Sequence, residues 1–241
     1  IMFGASGKIV MASKKIVYDP ITISSWTEQS NPKNIWLAGI AYGNGMWVAS
    51  GSTDGTNGPY IISSPDAITW TQRFASGSSG GQARGVFFLN GTFFLGGEQS
   101  SSAKVWWSTD GITWTGVAVG IINRITHMGY DAAVGKVVAS MYGGGLWDHV
   151  GPYSTDGKSG WTSAGFSNGG NDFDCRNFFN TNDKIWACGE TFGSTYNAMR
   201  KTTNGINYTS VGAGVAGWSI SDPNICWNID GAVDPETGGI V

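Results

Sequence analysis

Charged and aromatic side chains stand directly before several of the apolar strands that the sequence predicts. An aromatic face stacks on the apolar face of a sugar, and a guanidinium binds a carboxylate through paired hydrogen bonds. These residue types therefore predict a binding site for a glycan or another acidic ligand. The alternative is that they are solvated strand ends, with the tryptophans packed between sheets. The six candidates are Trp36, Arg84, Arg124, Asp174, Arg176 and Trp218.

The sequence does not reveal a complete set of catalytic residues. Glu98 and Glu190 hold matching positions in two repeats, but the sequence does not establish the facing carboxylates that glycoside hydrolysis requires. The two histidines, His127 and His149, favour neither a metal site nor a Ser-His triad. No phosphate-binding glycine motif opens a helix. We therefore expect no catalytic residue, no metal and no cofactor.

The three cysteines, Cys175, Cys188 and Cys226, fit no metal-binding spacing. Cys175 and Cys188 flank a predicted turn symmetrically, so they are candidates to face each other across a hairpin. The alternative is that all three are small buried thiols.

A short turn unit recurs along the chain and positions the strands. In its clearest copy, residues 108–114, a serine and a threonine precede an Asp-Gly dipeptide, and a tryptophan closes the unit. The aspartate is expected to accept backbone N–H bonds, the glycine to adopt a positive φ, and the tryptophan to anchor the outgoing strand. The unit therefore predicts a hairpin turn. Its copies are marked by Asp66 and Trp70, Asp110 and Trp114, Asp156 and Trp161, and Asn204 and Tyr208.

The spacing of these aromatics predicts the fold class. They recur at intervals of 44, 47 and 47 residues, which is the period of a four-stranded propeller blade. Each copy is preceded by two apolar strands around an Asn-Gly type of turn, as in residues 39–50, and no stretch has the period of a helix. The sequence predicts an all-β fold, a β-propeller of four-stranded antiparallel blades that forms one domain over residues 1–241.

The two ends of the chain determine the predicted number of blades. Residues 218–241 hold one further first strand, and residues 1–18 hold short apolar segments that would complete the same blade. This alignment predicts five blades, the last shared by both termini, and such closure removes exposed sheet edges. An alternative alignment that sets Trp26 against Trp70 predicts six. Because the chain starts at Ile1 without an initiator methionine, we expect it to be an excerpt of a longer one.

Composition excludes several classes of partner. Charged residues make up 13% of the chain, below the roughly 25% of ordinary soluble domains, and the net charge is −3 with no basic run. Binding to nucleic acid through a basic face is therefore not expected, and no apolar run reaches the roughly 18 residues of a membrane helix. The 38 glycines and the many serines, threonines and asparagines indicate a place outside the metabolic cytosol.

The turn units resemble the Asp-box, or BNR, repeat of β-propellers. Together with the segment from Ala41 to Gly45 they also resemble repeats of bacteriophage tail-fibre and other virion proteins. The resemblance covers nearly the whole chain and implies a fold rather than an activity. From it we expect a non-enzymatic binding or structural module on a virion surface or elsewhere outside the cell. As a tail-fibre or adhesin propeller it would contact cell-surface glycan or other virion proteins, as a monomer or a homo-oligomer.

Two alternatives remain, a secreted lectin-like propeller and a sialidase-like glycoside hydrolase. Sialidases resemble this chain in their Asp-boxes and use three arginines to bind the carboxylate of the substrate. Arg84, Arg124 and Arg176 fall on consecutive repeats, which agrees with such a set. The Arg-Ile-Pro motif of sialidases is absent, however, and no pair of tyrosine and glutamate stands out.

Overall fold

The computed structural model divides the chain into two compact units, Ile1–Ser30 and Asn31–Val241. The first unit contains a two-stranded antiparallel sheet of β1 (Val10–Ala12) and β2 (Lys15–Val17). The structure describes residues 10–12, 15–17, 36–52, 59–75, 81–99, 102–122, 124–132, 134–142, 150–162, 173–180, 185–191, 197–202 and 209–211.

The described residues of the second unit form four antiparallel sheets, here called blades 1 to 4, in which strands pair in chain order. Blade 1 consists of β3 (Trp36–Gly43), β4 (Met46–Ser52), β5 (Pro59–Ser64) and β6 (Thr71–Ala75). Blade 2 consists of β7 (Gly81–Leu89), β8 (Thr92–Gln99), β9 (Ser102–Ser108) and β10 (Thr115–Ile122). Blade 3 consists of β11 (Arg124–Asp131), β12 (Lys136–Tyr142) and β13 (Val150–Ser154), with a single bridge from Tyr153 to Thr162 beyond them. Blade 4 consists of β14 (Phe173–Asn180), β15 (Ile185–Thr191), β16 (Asn197–Thr202) and β17 (Thr209–Val211).

Consecutive blades contact each other through their first strands. Strand β3 contacts β7, β7 contacts β11, and β11 contacts β14. The approach is close, because a methyl group at Gly39 would lie 3.1 Å from the Cα of Gly85. Four-stranded antiparallel sheets that follow one another through their first strands confirm the predicted all-β propeller class. The predicted closing blade depends on residues 1–18 and 218–241, of which the structure describes residues 10–12 and 15–17.

The apolar core lies between neighbouring blades. Val48 and Ile61 of blade 1 pack in one cluster with Val86 and Trp106 of blade 2. A second cluster joins blades 2 and 3, and its buried members include Phe94, Val105, Ile125 and Met128. Because each strand alternates its side chains between two faces, one blade contributes to both clusters. Burial of this apolar surface holds each blade against its neighbours.

The turn units have the geometry that the sequence predicts. Asp110 Oδ1 accepts hydrogen bonds from the backbone N–H groups of Ile112 and Thr113, each at 2.8 Å, and from the Ser108 hydroxyl at 2.8 Å. These bonds stabilise the ionised carboxylate, led by the one from Thr113, and lower the pKa of Asp110 from 3.8 to about 2. The same pattern of bonds surrounds Asp66 and Asp156.

The glycine of the turn unit packs against the preceding blade. Gly111 has a φ of 70°, and a methyl group there would lie 2.9 Å from Met46 Cγ and 3.0 Å from Val48 Cγ2. Gly157, with a φ of 68°, lies in the same way against Phe94 of blade 2. The turn units therefore fix the contact between neighbouring blades as well as the hairpin of their own blade.

The closing tryptophans are half-buried and pack on the apolar clusters, as predicted for anchors. Trp70, Trp114 and Trp161 each contact a different cluster. Trp70 also donates a hydrogen bond from Nε1 to the Ala67 carbonyl oxygen at 3.2 Å. The fourth predicted unit, with Asn204 and Tyr208, lies outside the described residues.

The part of the chain that the structure describes contains strands and turns but no helix, and none of its elements is a helix long and apolar enough to cross a membrane.

The two cysteines of blade 4 are not cross-strand partners. Cys175 pairs with Gly189 and Cys188 pairs with Asn177, because the register shifts between Cys175 and Asn177. Cys226 lies outside the described residues.

Candidate functional site

The first strand of every blade carries a β-bulge at the same place. The cross-strand pairing passes over one residue between Leu37 and Gly39 in blade 1, and the equivalent shift occurs in the other three blades. A bulge bends a strand and redirects its side chains, and bulges are frequent beside functional sites. The four bulged positions hold Ala38, Arg84, Thr126 and Arg176.

A second set of equivalent positions lies two residues before each bulge, close to the start of the first strand. Within the four blades these positions hold Trp36, Gln82, Arg124 and Asp174. Their cross-strand partners are Ser52, Glu98, Tyr142 and Glu190.

The predicted site residues therefore divide between two levels of the repeat. Trp36, Arg124 and Asp174 share the level before the bulge, whereas Arg84 and Arg176 occupy the bulge itself. Arg84, Arg124 and Arg176 lie on the first strands of three consecutive blades, and Arg124 is shifted by two residues in register from the other two. Trp218 lies outside the described residues. For Trp36, Asp174 and Arg176 the description consists of the backbone position in the strand.

One polar cluster joins two blades at the level before the bulge. Arg124 Nη1 of blade 3 donates a hydrogen bond to Gln82 Oε1 of blade 2 at 3.2 Å, and it lies 3.9 Å from Glu98 Oε1. The Arg124 and Glu98 side chains are 24% and 22% exposed, so both remain accessible to a ligand. We call Gln82, Glu98 and Arg124 the interblade polar cluster.

Blade 2 carries a second polar pair. The Lys104 ammonium hydrogen-bonds Gln99 Oε1 and lies 5.6 Å from the centre of the Trp106 ring. Gln99 follows Glu98 on the same strand, and successive strand residues face opposite sides of a sheet, so this pair lies on the face toward blade 1, whereas Glu98 lies on the face toward blade 3. Arg84 is half-buried on the first strand of the same blade. The interblade polar cluster itself brings a carboxylate, a guanidinium and an amide close together.

These groups suit the recognition of a polar, hydroxyl-rich or acidic ligand. A carboxylate accepts hydrogen bonds from sugar hydroxyls, and a guanidinium donates to hydroxyls and carboxylates. Glycoside hydrolysis needs a second carboxylate beside the first. Blade 4 repeats the arrangement with two acidic residues, because Asp174 and Glu190 are direct cross-strand partners where blade 2 has Gln82 and Glu98.

His127 is occupied by packing. Its ring lies 4.6 Å from the ring of Phe87 in an edge-to-face arrangement between blades 2 and 3. Among the residues that the structure describes, no group of three His, Cys, Asp or Glu side chains is placed to hold a metal ion.

Sequence reasoning missed Gln82 as a site residue and did not connect Glu98 to Arg124. Gln82 belongs to the segment at the start of the first strand of blade 2. Its equivalence to Arg124 follows from the position of the bulge, which lies two residues after each of them. A bulge changes no residue type, so periodicity alone does not reveal it. The detectable signal was the repeat itself, in which Gln82 and Arg124 stand 42 residues apart.

Comparison with known proteins finds similarity among solved structures. No family model matches the chain, and no curated protein matches it. The GH74 enzyme of Niastella koreensis is similar over 72% of this chain and 30% of its own, with a TM-score of 0.49 and 15% identity. The sucrose-6-phosphate hydrolase of Lactobacillus gasseri is similar over 73% of this chain and 47% of its own, with a TM-score of 0.44 and 15% identity. The Trypanosoma rangeli sialidase, solved in complex with sialic acid, is similar over 73% of this chain and 37% of its own, with a TM-score of 0.44 and 12% identity.

This comparison corrects the expected function. The chain spans less than half the length of each of these three proteins, and at such identities the likeness concerns the fold. All three are named as enzymes, two of them as a hydrolase and a sialidase. These neighbours contradict the expectation of a non-enzymatic binding or structural module, and the enzymatic alternative is therefore taken up below as a proposal.

Proposed function

We propose that this chain is the propeller of a glycoside hydrolase, with the interblade polar cluster as part of its active site. The observation that carries the proposal is the placement of Glu98 within 3.9 Å of Arg124 at the junction of two blades, with both side chains partly exposed. The cluster supplies one of the two carboxylates that the reaction needs, together with donors that hold a sugar.

In the proposed reaction Glu98 is one of the two carboxylates that flank the scissile bond. Depending on its protonation state, it donates a proton to the leaving oxygen or assists attack at the anomeric carbon. Gln82 and Arg124 bind hydroxyl or carboxylate groups of the sugar and fix its orientation. We assign the second carboxylate to the acidic positions of blade 4, Asp174 and Glu190, because they repeat the register of Gln82 and Glu98.

We further propose that the turn units are Asp-box repeats and that the ring has five blades, closed by both termini. The substrate proposed is a cell-surface glycan, which agrees with an extracellular or virion-surface location and with the resemblance to virion repeats. The low fraction of charged residues and the high glycine content support a place outside the cytosol.

The test is hydrolysis of a panel of fluorogenic glycosides that includes a sialoside, a β-glucoside and a β-fructofuranoside. We expect turnover of at least one of them by the wild-type chain, and loss of about 100-fold or more in kcat for Glu98→Gln, since general acid–base catalysis contributes about that much. Asp66→Asn is the matched control, because it makes the same carboxylate-to-amide change on an exposed turn of blade 1. Absence of turnover on every glycoside, or equal loss in both variants, would overturn the proposal.

A further inference from the structure

Two Asn-Gly turns of the same conformation differ in how the asparagine side chain is held. Asn44 and Gly45 join the first two strands of blade 1 with φ values of 48° and 76°. Asn90 and Gly91 join the equivalent strands of blade 2 with φ values of 46° and 75°. Both asparagines are exposed. The backbone conformations match within a few degrees, so the side chains form a natural comparison.

The Asn44 side chain is tied to the neighbouring blade. Its Nδ2 donates to the Gly91 carbonyl oxygen at 3.1 Å and to the Thr109 carbonyl oxygen at 3.0 Å. Within the described part of the chain, the Asn90 side chain makes no hydrogen bond. One amide therefore has a fixed orientation, and the other is free to rotate in solvent.

We propose that Asn90 is a site of spontaneous deamidation and that Asn44 is protected from it by its two interblade hydrogen bonds. In this reaction the backbone nitrogen of the following glycine loses its proton and forms a bond to the side-chain Cγ. The Cγ–Nδ2 bond breaks and ammonia leaves. Water then opens the resulting succinimide at either carbonyl, which gives an aspartate or an isoaspartate. Glycine favours the reaction because it has no side chain to obstruct the attack.

The tether at Asn44 opposes this chemistry because the amide must rotate away from both carbonyl oxygens before its Cγ is attacked. The loss of two exposed hydrogen bonds makes the attack about tenfold slower at Asn44 than at Asn90. The backbone of the turn restrains both sites equally, so it does not account for a difference between them.

Deamidation of Asn90 also affects the later deamidation of Asn44. Gly91, whose carbonyl oxygen accepts one of the bonds from Asn44, directly follows Asn90. An isoaspartate at position 90 lengthens the backbone by one carbon atom and displaces that carbonyl oxygen. Modification of Asn90 therefore releases Asn44, which then deamidates faster. Asn44 and Asn90 lie at the ends of the first strands, and the interblade polar cluster lies near their starts. The proposal therefore does not rest on the proposed hydrolase activity.

The experiment follows deamidation of the intact chain during incubation at mildly alkaline pH, with peptide mapping by mass spectrometry at successive times. We expect Asn90 to be modified about tenfold faster than Asn44, with a lag before Asn44 reacts. In a denaturant the two rates should become equal, because the tether is then absent. Asn57, Asn168 and Asn204 also precede glycine, and fragmentation of the peptides assigns each modification to its own asparagine.

The variant Asn90→Asp tests the order of events. Aspartate keeps the positive φ accessible and removes the rapidly reacting amide. In this variant the deamidation rate of Asn44 should stay at its slow initial value through the whole incubation. Equal rates at Asn44 and Asn90 in the folded chain would overturn the protection, and an unchanged acceleration in Asn90→Asp would overturn the coupling.

Discussion

Arg124 of blade 3 reaches across the blade junction and donates a hydrogen bond from Nη1 to Gln82 Oε1 of blade 2 at 3.2 Å. The two residues occupy the same position in their own repeats, two residues before the bulge. The backbone of the repeat therefore places them, whereas their side chains differ from blade to blade. Positions that the scaffold fixes in space but leaves free in residue type are where a propeller gains its specificity.

Replacement of Arg124 by lysine tests whether the guanidinium binds the sugar. Lysine keeps the charge but loses the planar set of donors, so a substrate contact that uses two of them is weakened. We expect KM to rise about tenfold with a smaller change in kcat, from the loss of one hydrogen bond to a charged group. Steady-state kinetics on the glycoside that the wild-type chain hydrolyses provide the measurement.

The matched control for that change is Arg73→Lys. Arg73 donates from Nε to Ser63 Oγ at 2.8 Å on the outer strand of blade 1, away from the polar cluster. We expect its kinetics to equal those of the wild type. If Arg124→Lys and Arg73→Lys behave alike, Arg124 has a structural role only.

The fourth residue of the turn unit supplies a test of packing between blades. Blade 1 has Ala67 there with a φ of 60°, whereas blade 2 has Gly111 with a φ of 70°. A residue with a side chain is strained in this conformation by about 1 kcal/mol, so Ala67→Gly should stabilise the chain by up to that amount. Gly111→Ala adds the same strain and a contact of 2.9 Å with Met46, so it should destabilise by about 2 kcal/mol or more. Urea unfolding of the two variants gives both values, and a destabilising Ala67→Gly would contradict the strain.

Much of the fold could be predicted from the sequence because the repeat makes its own geometry visible. The turn unit around Asp110 gives the hairpin, the spacing of Trp70 and Trp114 gives the blade, and both agree with the structure. The bulge at Arg84 was not predictable, since it changes the register by one residue without a change in composition. For that reason the sequence names Arg84 and Arg124 as candidates on consecutive repeats without showing that they occupy different levels.

The candidate site was predictable to a smaller extent, for a related reason. Residue types at the strand starts pointed to sugar binding, but contacts between blades depend on how two sheets pack. The approach of Arg124 to Glu98 joins residues that are separated by strands β9 and β10. Periodicity describes one blade at a time and carries no information about such a contact.

Two tryptophans of blade 2 should differ in their contribution to stability. Trp106 is 2% exposed in the cluster between blades 1 and 2, whereas Trp114 is half-buried at the edge of the same cluster. Trp106→Ala should cost about 3–5 kcal/mol, because it removes a large side chain and leaves a cavity. Trp114→Ala should cost about half as much, since solvent can fill part of the space. Denaturant unfolding gives the free energy of unfolding of each variant, and the two are comparable where the denaturant slopes are equal. A larger decrease for Trp114→Ala than for Trp106→Ala would place the anchor of the blade in the turn unit.

Acid should destabilise the chain through the carboxylates of the turn units. The pKa of Asp66 is lowered to about 2 by the backbone N–H groups of Thr69 and Ile68 and by the Ser64 hydroxyl. At Asp156 burial acts in the opposite direction, but the hydrogen bonds from Lys158 and Ser159 outweigh it, and that pKa is also about 2. With Asp110, three carboxylates therefore hold their protons less tightly in the folded chain than at the ordinary value of 3.8.

The sign of the effect follows from proton linkage. Between pH 3.8 and about 2 the unfolded chain binds more protons than the folded one, so stability is fully present above pH 3.8 and decreases as the pH falls through this range. The combined variant Asp66→Asn, Asp110→Asn and Asp156→Asn lacks these charges, so it should be less stable at neutral pH and lose less stability in acid. Thermal unfolding from pH 6 down to pH 2 measures both slopes. Parallel curves for the wild type and the variant would show that other carboxylates cause the acid sensitivity.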